Sequence, residues 1–229
     1  MTSSAERLPQ AAQPPRPAAP ASADELVPVL PPLLPLFPRQ GLRRGSMIAV
    51  QGSTSLLIAL LAGASQAGAW CAVVGLPALG LLAASEAGVA LDRLALIPRP
   101  GAEWISVVAA LVDGFDVVVV APPNQVPDRA ARRLAARARQ RGTVLVSHGP
   151  VSWPAADLRL SADVGAWHGL GSGHGYLRTR NVRVRGAGRG SAAQARHAQL
   201  WLPVDGGGVA TADVPAVAVV PIRPIPATR

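Results

Sequence analysis

The chain of 229 residues is 49% hydrophobic and only 15% charged, with a formal net charge of +9. This size and composition indicate one globular domain with appended tails and exclude a chain that is disordered throughout. All 22 basic residues are arginine, which excludes every mechanism that needs a lysine.

The arginines are unevenly distributed along the chain. Residues 129–229 contain 15 arginines and four acidic residues, a net charge of +11 (15 − 4), whereas residues 1–128 contain seven arginines and nine acidic residues. The C-terminal half is therefore where an anionic partner would bind. The single cysteine, Cys71, has no disulfide partner, which indicates a reducing, cytoplasmic location.

The first segment, residues 1–24, consists largely of Ala, Pro and Ser and has no apolar block. It cannot bury enough surface to offset its conformational entropy, so we expect a disordered leader. The segment lacks the features of a secretory signal, and no run of about 18 apolar residues occurs in the chain. We therefore expect neither export nor association with a membrane.

The next segment, residues 25–45, places Leu and Phe among prolines and predicts extended or broken apolar segments. Residues 46–149 then alternate short apolar strands with helices, which predicts an α/β fold. The strands are apolar on both faces, as in a doubly wound, mainly parallel sheet covered by helices on both sides. The predicted strands are 46–52, 69–76, 92–98, 115–123 and 143–149, and the predicted helices are 55–68, 77–88, 101–114 and 127–142.

The pattern changes after residue 149. Three predicted strands, 156–164, 175–186 and 194–204, are separated by Gly-rich turns and indicate an antiparallel extension of the same sheet. We read residues 25–204 as one core, with an αβ part (46–149) and a β-rich part (150–204). Residues 205–229 are apolar but broken by prolines and predict a tail without a fold of its own.

The turn after the first strand of the αβ part is reminiscent of a phosphate-binding loop, because Gly52, Ser53, Thr54 and Ser55 lead into a helix. A working loop has the form GxxxxGK[ST], but here the loop is too short and both the second glycine and the lysine are absent. The strand at 115–123 also ends in Ala121 where such folds place a magnesium-binding aspartate. We therefore expect no ATPase activity and no cofactor, although weak anion binding by the amides of this turn stays open.

Several blocks of the sequence carry a resemblance to a known family: GLRRGSMIAVQG, AWCAVVGLPALG, GVALDRLALIPRP, VVAALVDGFDVVVVAPP and GTVLVSHG. In this order they resemble the RecA ATPase core, and most of all its shortened actinobacterial ImuA-type branch, over about residues 25–204. The segment VGLPALG offers no carboxylate at the position of the RecA catalytic glutamate. The resemblance thus implies a RecA-like fold with a degenerate ATP site.

The same resemblance implies a function in DNA repair. Members of the ImuA-type branch are accessory proteins of the DNA-damage-induced mutasome, beside an ImuB-type polymerase-like protein and an error-prone replicative-type polymerase. The implied role is that of a non-catalytic subunit in translesion DNA synthesis, with RecA and DNA as further partners. An alternative from a different class is an independent DNA-binding or RecA-filament regulator without ATPase activity.

The helix predicted at 127–142 carries an arginine face, with Asp128 as its expected N-cap and Gly142 as its end. This face is either a solvated surface or a contact surface for DNA or a polymerase partner. Its candidate partner contacts are Arg129, Arg132, Arg133 and Arg137.

The segment YLRTRNVRVRGAGRG contains the candidate nucleic-acid contacts. Because side chains alternate along a strand, Arg178 and Arg180 share one face and Arg183 and Arg185 the other. Either a bulge intervenes near residue 181, or both faces are partly exposed, as on an edge strand. Arg189 follows close by and completes this candidate set.

Further candidate partner contacts are Trp201 and, in the C-terminal tail, Val217, Val219 and Ile222. The four histidines show no metal-ligand spacing, so we expect no metal site. The segment GLGSGHG does not open a helix and predicts a hairpin turn. We expect a cytoplasmic protein that is associated with the nucleoid when it is engaged on DNA.

Overall fold

The computed structural model describes residues 25–151, 153–154, 156–163, 165–170 and 175–212. The predicted leader and the tail positions Val217, Val219 and Ile222 lie outside the described residues. The strands are β1 (Leu26–Val27), β2 (Leu42–Arg43), β3 (Met47–Gln51), β4 (Cys71–Val74), β5 (Leu94–Ile97), β6 (Val117–Val120), β7 (Val144–His148), β8 (Leu158–Ala162), β9 (Trp167–Leu170), β10 (Gly175–Gly188), β11 (Arg196–Trp201) and β12 (Ala210–Thr211). The α-helices are α1 (Thr54–Gln66), α2 (Leu81–Glu86), α3 (Trp104–Val112) and α4 (Asp128–Arg141), and three short 3₁₀ helices cover Pro31–Leu36, Leu91–Arg93 and Gly190–Ala192.

The Pro-rich segment before the main sheet forms the broken apolar structure that its sequence predicts. β1 and β2 pair with each other in a small antiparallel sheet, and the 3₁₀ helix Pro31–Leu36 lies between them in the chain. Leu33 and Leu36 of this helix are fully buried. The segment therefore belongs to the core.

Within the described residues, ten strands form the main sheet, and six of them are parallel neighbours in the order β5-β4-β6-β7-β3-β8. Counted in chain order, the parallel strands run 3-2-4-5-1-6. This order differs from 3-2-1-4-5-6 of dinucleotide-binding folds and from 2-1-3-4-5 of flavodoxin-like folds. The predicted α/β class with a mainly parallel sheet is confirmed.

Helices cover both faces of the parallel strands. Successive residues of a strand point to opposite faces, so they enter two separate apolar cores. One core joins α1 and α2 to residues such as Val50, Val73 and Val119. The other core joins α3 and α4 to the strand residues next to these in the chain, such as Ala49, Val74 and Val118. Cys71 lies in the first core, and burial raises the pKa of its thiol to about 12, so the thiol stays protonated at neutral pH.

The antiparallel extension follows β8 in the order β8-β10-β11-β12, with β9 also paired to β10. The arginine-rich strand is not an edge strand, which was one way to meet the second of the two alternatives, since β10 has β8 and β9 on one side and β11 on the other. The register irregularity lies between Gly175 and Thr179 and not near residue 181. Residues 210–211, which the sequence assigns to a tail, pair with β11 as β12.

Some helix ends differ from the sequence prediction. α2 begins at Leu81 rather than at Pro77. Pro127, not Asp128, is the N-cap of α4, and Asp128 is the first helical residue. Gly142 ends α4 in the left-handed conformation, as predicted. Among the described residues, no helix is long and apolar enough to cross a membrane.

Candidate functional site

The predicted strand, turn and helix around Gly52 are present, but protein atoms fill the space at the turn. Gly52 has a φ of 81°, and a Cβ at this position would lie 2.4 Å from the carbonyl oxygen of Ala162 at the end of β8. Ser53 caps α1, and its Oγ accepts a hydrogen bond from the Leu56 amide at 3.2 Å. The turn therefore passes directly from strand to helix, with β8 packed against it.

The basic group next to this turn comes from a distant part of the chain. Arg180 of β10 donates a hydrogen bond from Nη2 to Ser53 Oγ at 3.1 Å. Its guanidinium also lies 5.2 Å from the centre of the Trp167 ring, within the range of a cation–π contact. Arg180 is half-buried, so this predicted nucleic-acid contact already has two partners inside the protein.

Thr54 links the turn to the end of the neighbouring strand β7. Its Oγ1 lies 3.3 Å from Nε2 of His148, which is only 8% exposed. Burial lowers the pKa of His148, while the Val50 backbone carbonyl exerts a smaller opposing effect. The imidazole is therefore neutral at neutral pH, and Nδ1 forms no hydrogen bond with any described residue.

His148 also lines a crevice of about 620 Å³ at the carboxyl ends of β4, β5, β6 and β7. We call it the carboxyl-edge crevice. Open α/β sheets bind their ligands at this edge. Arg99 and His148 are its ionisable residues, and none of the residues that line it is acidic. The lining residues are Gly75, Leu76, Pro77, Pro98, Arg99, Pro100, Gly101, Ala121, Pro122, Pro123, His148, Gly149 and Pro150.

The arginines of β10 are divided between the two faces of the sheet. Arg178 lies on the α1 side, where it pairs with Asp205 at 3.3 Å and lies 4.5 Å from the centre of the Tyr176 ring. Arg183 and Arg185 point to the opposite side, are exposed, and lie opposite Gln199 and His197 of β11. The structure thus separates the five candidate nucleic-acid contacts.

Arg189 is exposed and lies apart from the other arginines of this set. It lines a separate cavity of about 390 Å³ with Arg39 and Arg43. Arg43 is 4.0 Å from Asp157 in the same cavity.

The arginine face of α4 is exposed, but some of its members have ion-pair partners. Arg137 and Arg141 both bind the Asp113 carboxylate at the end of α3, and this lowers the pKa of Asp113. Arg132 is 3.6 Å from Asp128, one turn earlier on the same helix. Arg129 and Arg133 form no ion pair within the described part of the chain. The ion pairs of Arg132, Arg137 and Arg141 therefore give these arginines a structural role within the protein.

The tryptophans differ in how much of the side chain is exposed and accessible to a partner. Trp201 is half-buried and stacks edge-on with His168 at 4.9 Å. Trp153 is fully buried, whereas Trp167 is 42% exposed. Among the described residues there is no group of three or more metal-ligating side chains.

Two important residues were underestimated at the level of sequence. Asp116 accepts hydrogen bonds from the Trp70 amide and from Arg44, both at 2.9 Å. His148 enters the sequence-based predictions only as one of four histidines without metal-ligand spacing. Its place at the end of a buried strand was the available signal, because ligand sites in parallel sheets lie there.

The structure is that of an α/β protein with an open, doubly wound sheet. Ala162 and Arg180 contact the turn at Gly52, where related folds can bind phosphate. Residues 35–155, more than half of the chain, match the family model described as MT3502 N-terminal domain, and the chain belongs to this family. The chain is also similar to a protein of Mycobacterium tuberculosis (strain ATCC 25618 / H37Rv) that carries the description "Uncharacterized protein Rv3395c". The two are 44% identical over 122 residues, which is 52% of this chain and 59% of the relative.

Proposed function

We propose that this protein is a non-catalytic, RecA-like accessory subunit of an error-prone translesion DNA synthesis complex, of the ImuA type. In this proposal it acts through contacts with an ImuB-type polymerase-like protein, in the cytoplasm and on the nucleoid when engaged. The observation that carries the proposal is the filled turn at Gly52. Ala162 and Arg180 occupy the surroundings of the turn where a phosphate-binding loop would need space.

The strand order supports a RecA-like relationship because it excludes two other nucleotide-binding folds. It is neither that of dinucleotide-binding folds nor that of flavodoxin-like folds, so the two commonest nucleotide-binding alternatives do not apply. The position after β6 is occupied by Ala121, whose amide donates to the Val74 carbonyl at 2.9 Å. No side chain there offers a ligand for magnesium.

An exposed apolar surface supports a role in protein contacts. Leu82 of α2 is 74% exposed, and Tyr176 and Leu177 of β10 are 63% and 49% exposed. α2 and β10 flank a groove of about 380 Å³ that residues 203–208 also line. Exposed apolar patches of this kind mark docking surfaces, so we assign this α2–β10 surface to the ImuB-type partner.

Copurification with the ImuB-type partner tests the proposal. The wild-type protein is expected to retain the partner with and without DNA, and Leu82→Asp with Tyr176→Asp is expected to lose it. Ala110→Asp, an exposed change on α3, is the matched control and is expected to bind normally. Absence of copurification of the wild-type protein under both conditions would contradict the proposal.

The C-terminal tail is a separate arm of the same experiment. We expect residues 213–229 to contribute to partner binding through Val217, Val219 and Ile222. Removing them is a cleaner test than removing residues 205–229, because β12 and Asp205 belong to the folded part. Undiminished partner binding by the chain ending at residue 212 would remove the claim for the tail.

A second candidate function, an independent DNA-binding or RecA-filament regulator, has its own supporting observation. Arg183 and Arg185 stand side by side on the uncovered face of the antiparallel extension, and neither forms an ion pair within the described residues. Phosphate contacts from such arginines give binding that weakens steeply with salt and ignores sequence.

Measured DNA affinity at low salt separates the two functions. Arg183→Ala with Arg185→Ala is expected to weaken DNA binding and to lower its salt dependence. Arg178→Ala with Arg180→Ala is the matched control, since these arginines bind Asp205 and Ser53. Undetectable DNA binding by the wild-type protein alone would reject the regulator and leave the accessory subunit.

A further inference from the structure

The carboxyl-edge crevice has the properties of a small-molecule site. At about 620 Å³ it falls within the size range of ligand pockets, and its walls are mainly Pro, Gly, Leu and Ala. Six prolines line it. Ligand sites of this kind combine an apolar lining with a few polar groups that fix the orientation of the ligand.

Two polar groups serve that purpose here. Nδ1 of His148 is buried without a hydrogen-bond partner among the described residues, although the side chain is only 8% exposed. A buried polar atom left unpaired costs free energy, so a ligand that satisfies it gains affinity. Arg99 lines the same crevice, is exposed, and forms no ion pair within the described part of the chain.

The backbone of the crevice limits how much negative charge a ligand can carry. Proline has no N–H group, and the amides of Gly75, Ala121 and Gly149 donate to strand carbonyls of Ile97, Val74 and Val50. Phosphate sites depend on several free backbone amides or on clustered cations. Among the residues that line this crevice, Arg99 is the one cation, which suits a single carboxylate rather than a polyphosphate.

We propose that the carboxyl-edge crevice binds a small aromatic carboxylate. The carboxylate group of the ligand pairs with Arg99 and accepts a hydrogen bond from His148. The ring of the ligand packs against the proline walls. With Nε2 accepting a hydrogen bond from the Thr54 hydroxyl, Nδ1 carries the proton and donates to the carboxylate. This site is separate from the filled turn at Gly52 and does not depend on the proposed accessory function.

The test uses benzoate as the probe and NMR of the histidine ring resonances as the readout. Saturable shifts of the His148 ring signals are expected, and His148→Asn identifies those signals by their loss. Benzamide, which has the same ring without the charge, and inorganic phosphate are the matched ligand controls. Both are expected to cause much smaller shifts than benzoate.

Two variants define the binding geometry. Arg99→Gln is expected to weaken benzoate binding about tenfold, because it removes a charge-assisted hydrogen bond. Arg129→Gln on α4 is the control and is expected to leave binding unchanged. The proposal is overturned by wild-type affinity in Arg99→Gln, by the absence of saturable shifts with benzoate, or by phosphate binding more tightly than benzoate.

Discussion

His148 combines burial, one hydrogen bond and one unsatisfied nitrogen. Its pKa lies below the ordinary value of 6.5 because the folded protein surrounds it with apolar groups. The unfolded chain therefore takes up a proton at this residue at a higher pH than the folded chain does. Among the residues that line the same crevice, Arg99 is the charged one.

This difference predicts a pH-dependent stability. Because the unfolded state binds the additional proton, the free energy of unfolding falls as the pH drops below about 6.5. Urea unfolding between pH 7.5 and pH 5 is expected to record this fall, and His148→Asn is expected to flatten it. An unchanged slope in His148→Asn would show that the buried ring is not its source.

Residue-scale prediction from sequence succeeded where a local rule is sufficient. Gly142 was predicted to end its helix because a left-handed residue is needed there. Asp128 was predicted as a cap, but the cap position falls on Pro127, since helix ends are fixed to within a residue or two by packing. The partners of Asp116 and Arg180 lie far away in the chain and leave no local signal.

At the scale of the elements, α1 packs so closely on the Pro-rich segment that one of its residues must be glycine. Gly63 is buried inside the helix, and a Cβ there would lie 2.6 Å from the Leu30 amide nitrogen and 2.7 Å from the Val29 Cα. These are backbone atoms that cannot rotate away. The close approach places the segment around residues 29–30 directly over α1.

Gly63→Ala therefore predicts a loss of stability, although alanine is the better helix former by about 1 kcal/mol. The expected cost is about 1–3 kcal/mol from overpacking, measured by urea unfolding. Gly114→Ala is the matched control, because no atom lies within 4 Å of its added Cβ. Equal or greater stability of Gly63→Ala would contradict the close packing of α1 on this segment.

The elements of the parallel part were predictable because apolar runs and helical spacing repeat regularly in residues 46–149. The antiparallel part was predicted less well. An edge position was one alternative for β10, but long-range pairing with β8, β9 and β11 decides its position. β12 has two residues, too few for a periodic pattern, and its pairing with β11 depends on a contact that the sequence does not display.

At the scale of the molecule, the last strands of the main sheet depend on residues beyond the predicted core. Asp205 pairs with Arg178, and β12 extends the sheet at β11. The amide of Ala212 also donates to the Gln199 carbonyl at 2.9 Å. These contacts close the C-terminal edge of the described structure.

A comparison of two truncated chains tests this edge. The chain of residues 25–204 is expected to be less stable than the chain of residues 25–212 by about 2–3 kcal/mol, since each lost hydrogen bond contributes about 1 kcal/mol. Thermal unfolding of the two chains measures the difference. Equal stability would restore residue 204 as the end of the folded unit.

The close approach of Ala162 and Arg180 to the turn at Gly52 also bears on what a phosphate-binding loop at this position would require. Lengthening the turn alone would collide with β8, and introducing a lysine alone would place a second cation beside the arginine on Ser53. Neither change is useful without the other or without movement of β10. A phosphate-binding loop at this position would therefore require a longer turn, an introduced lysine and a displaced β10 together.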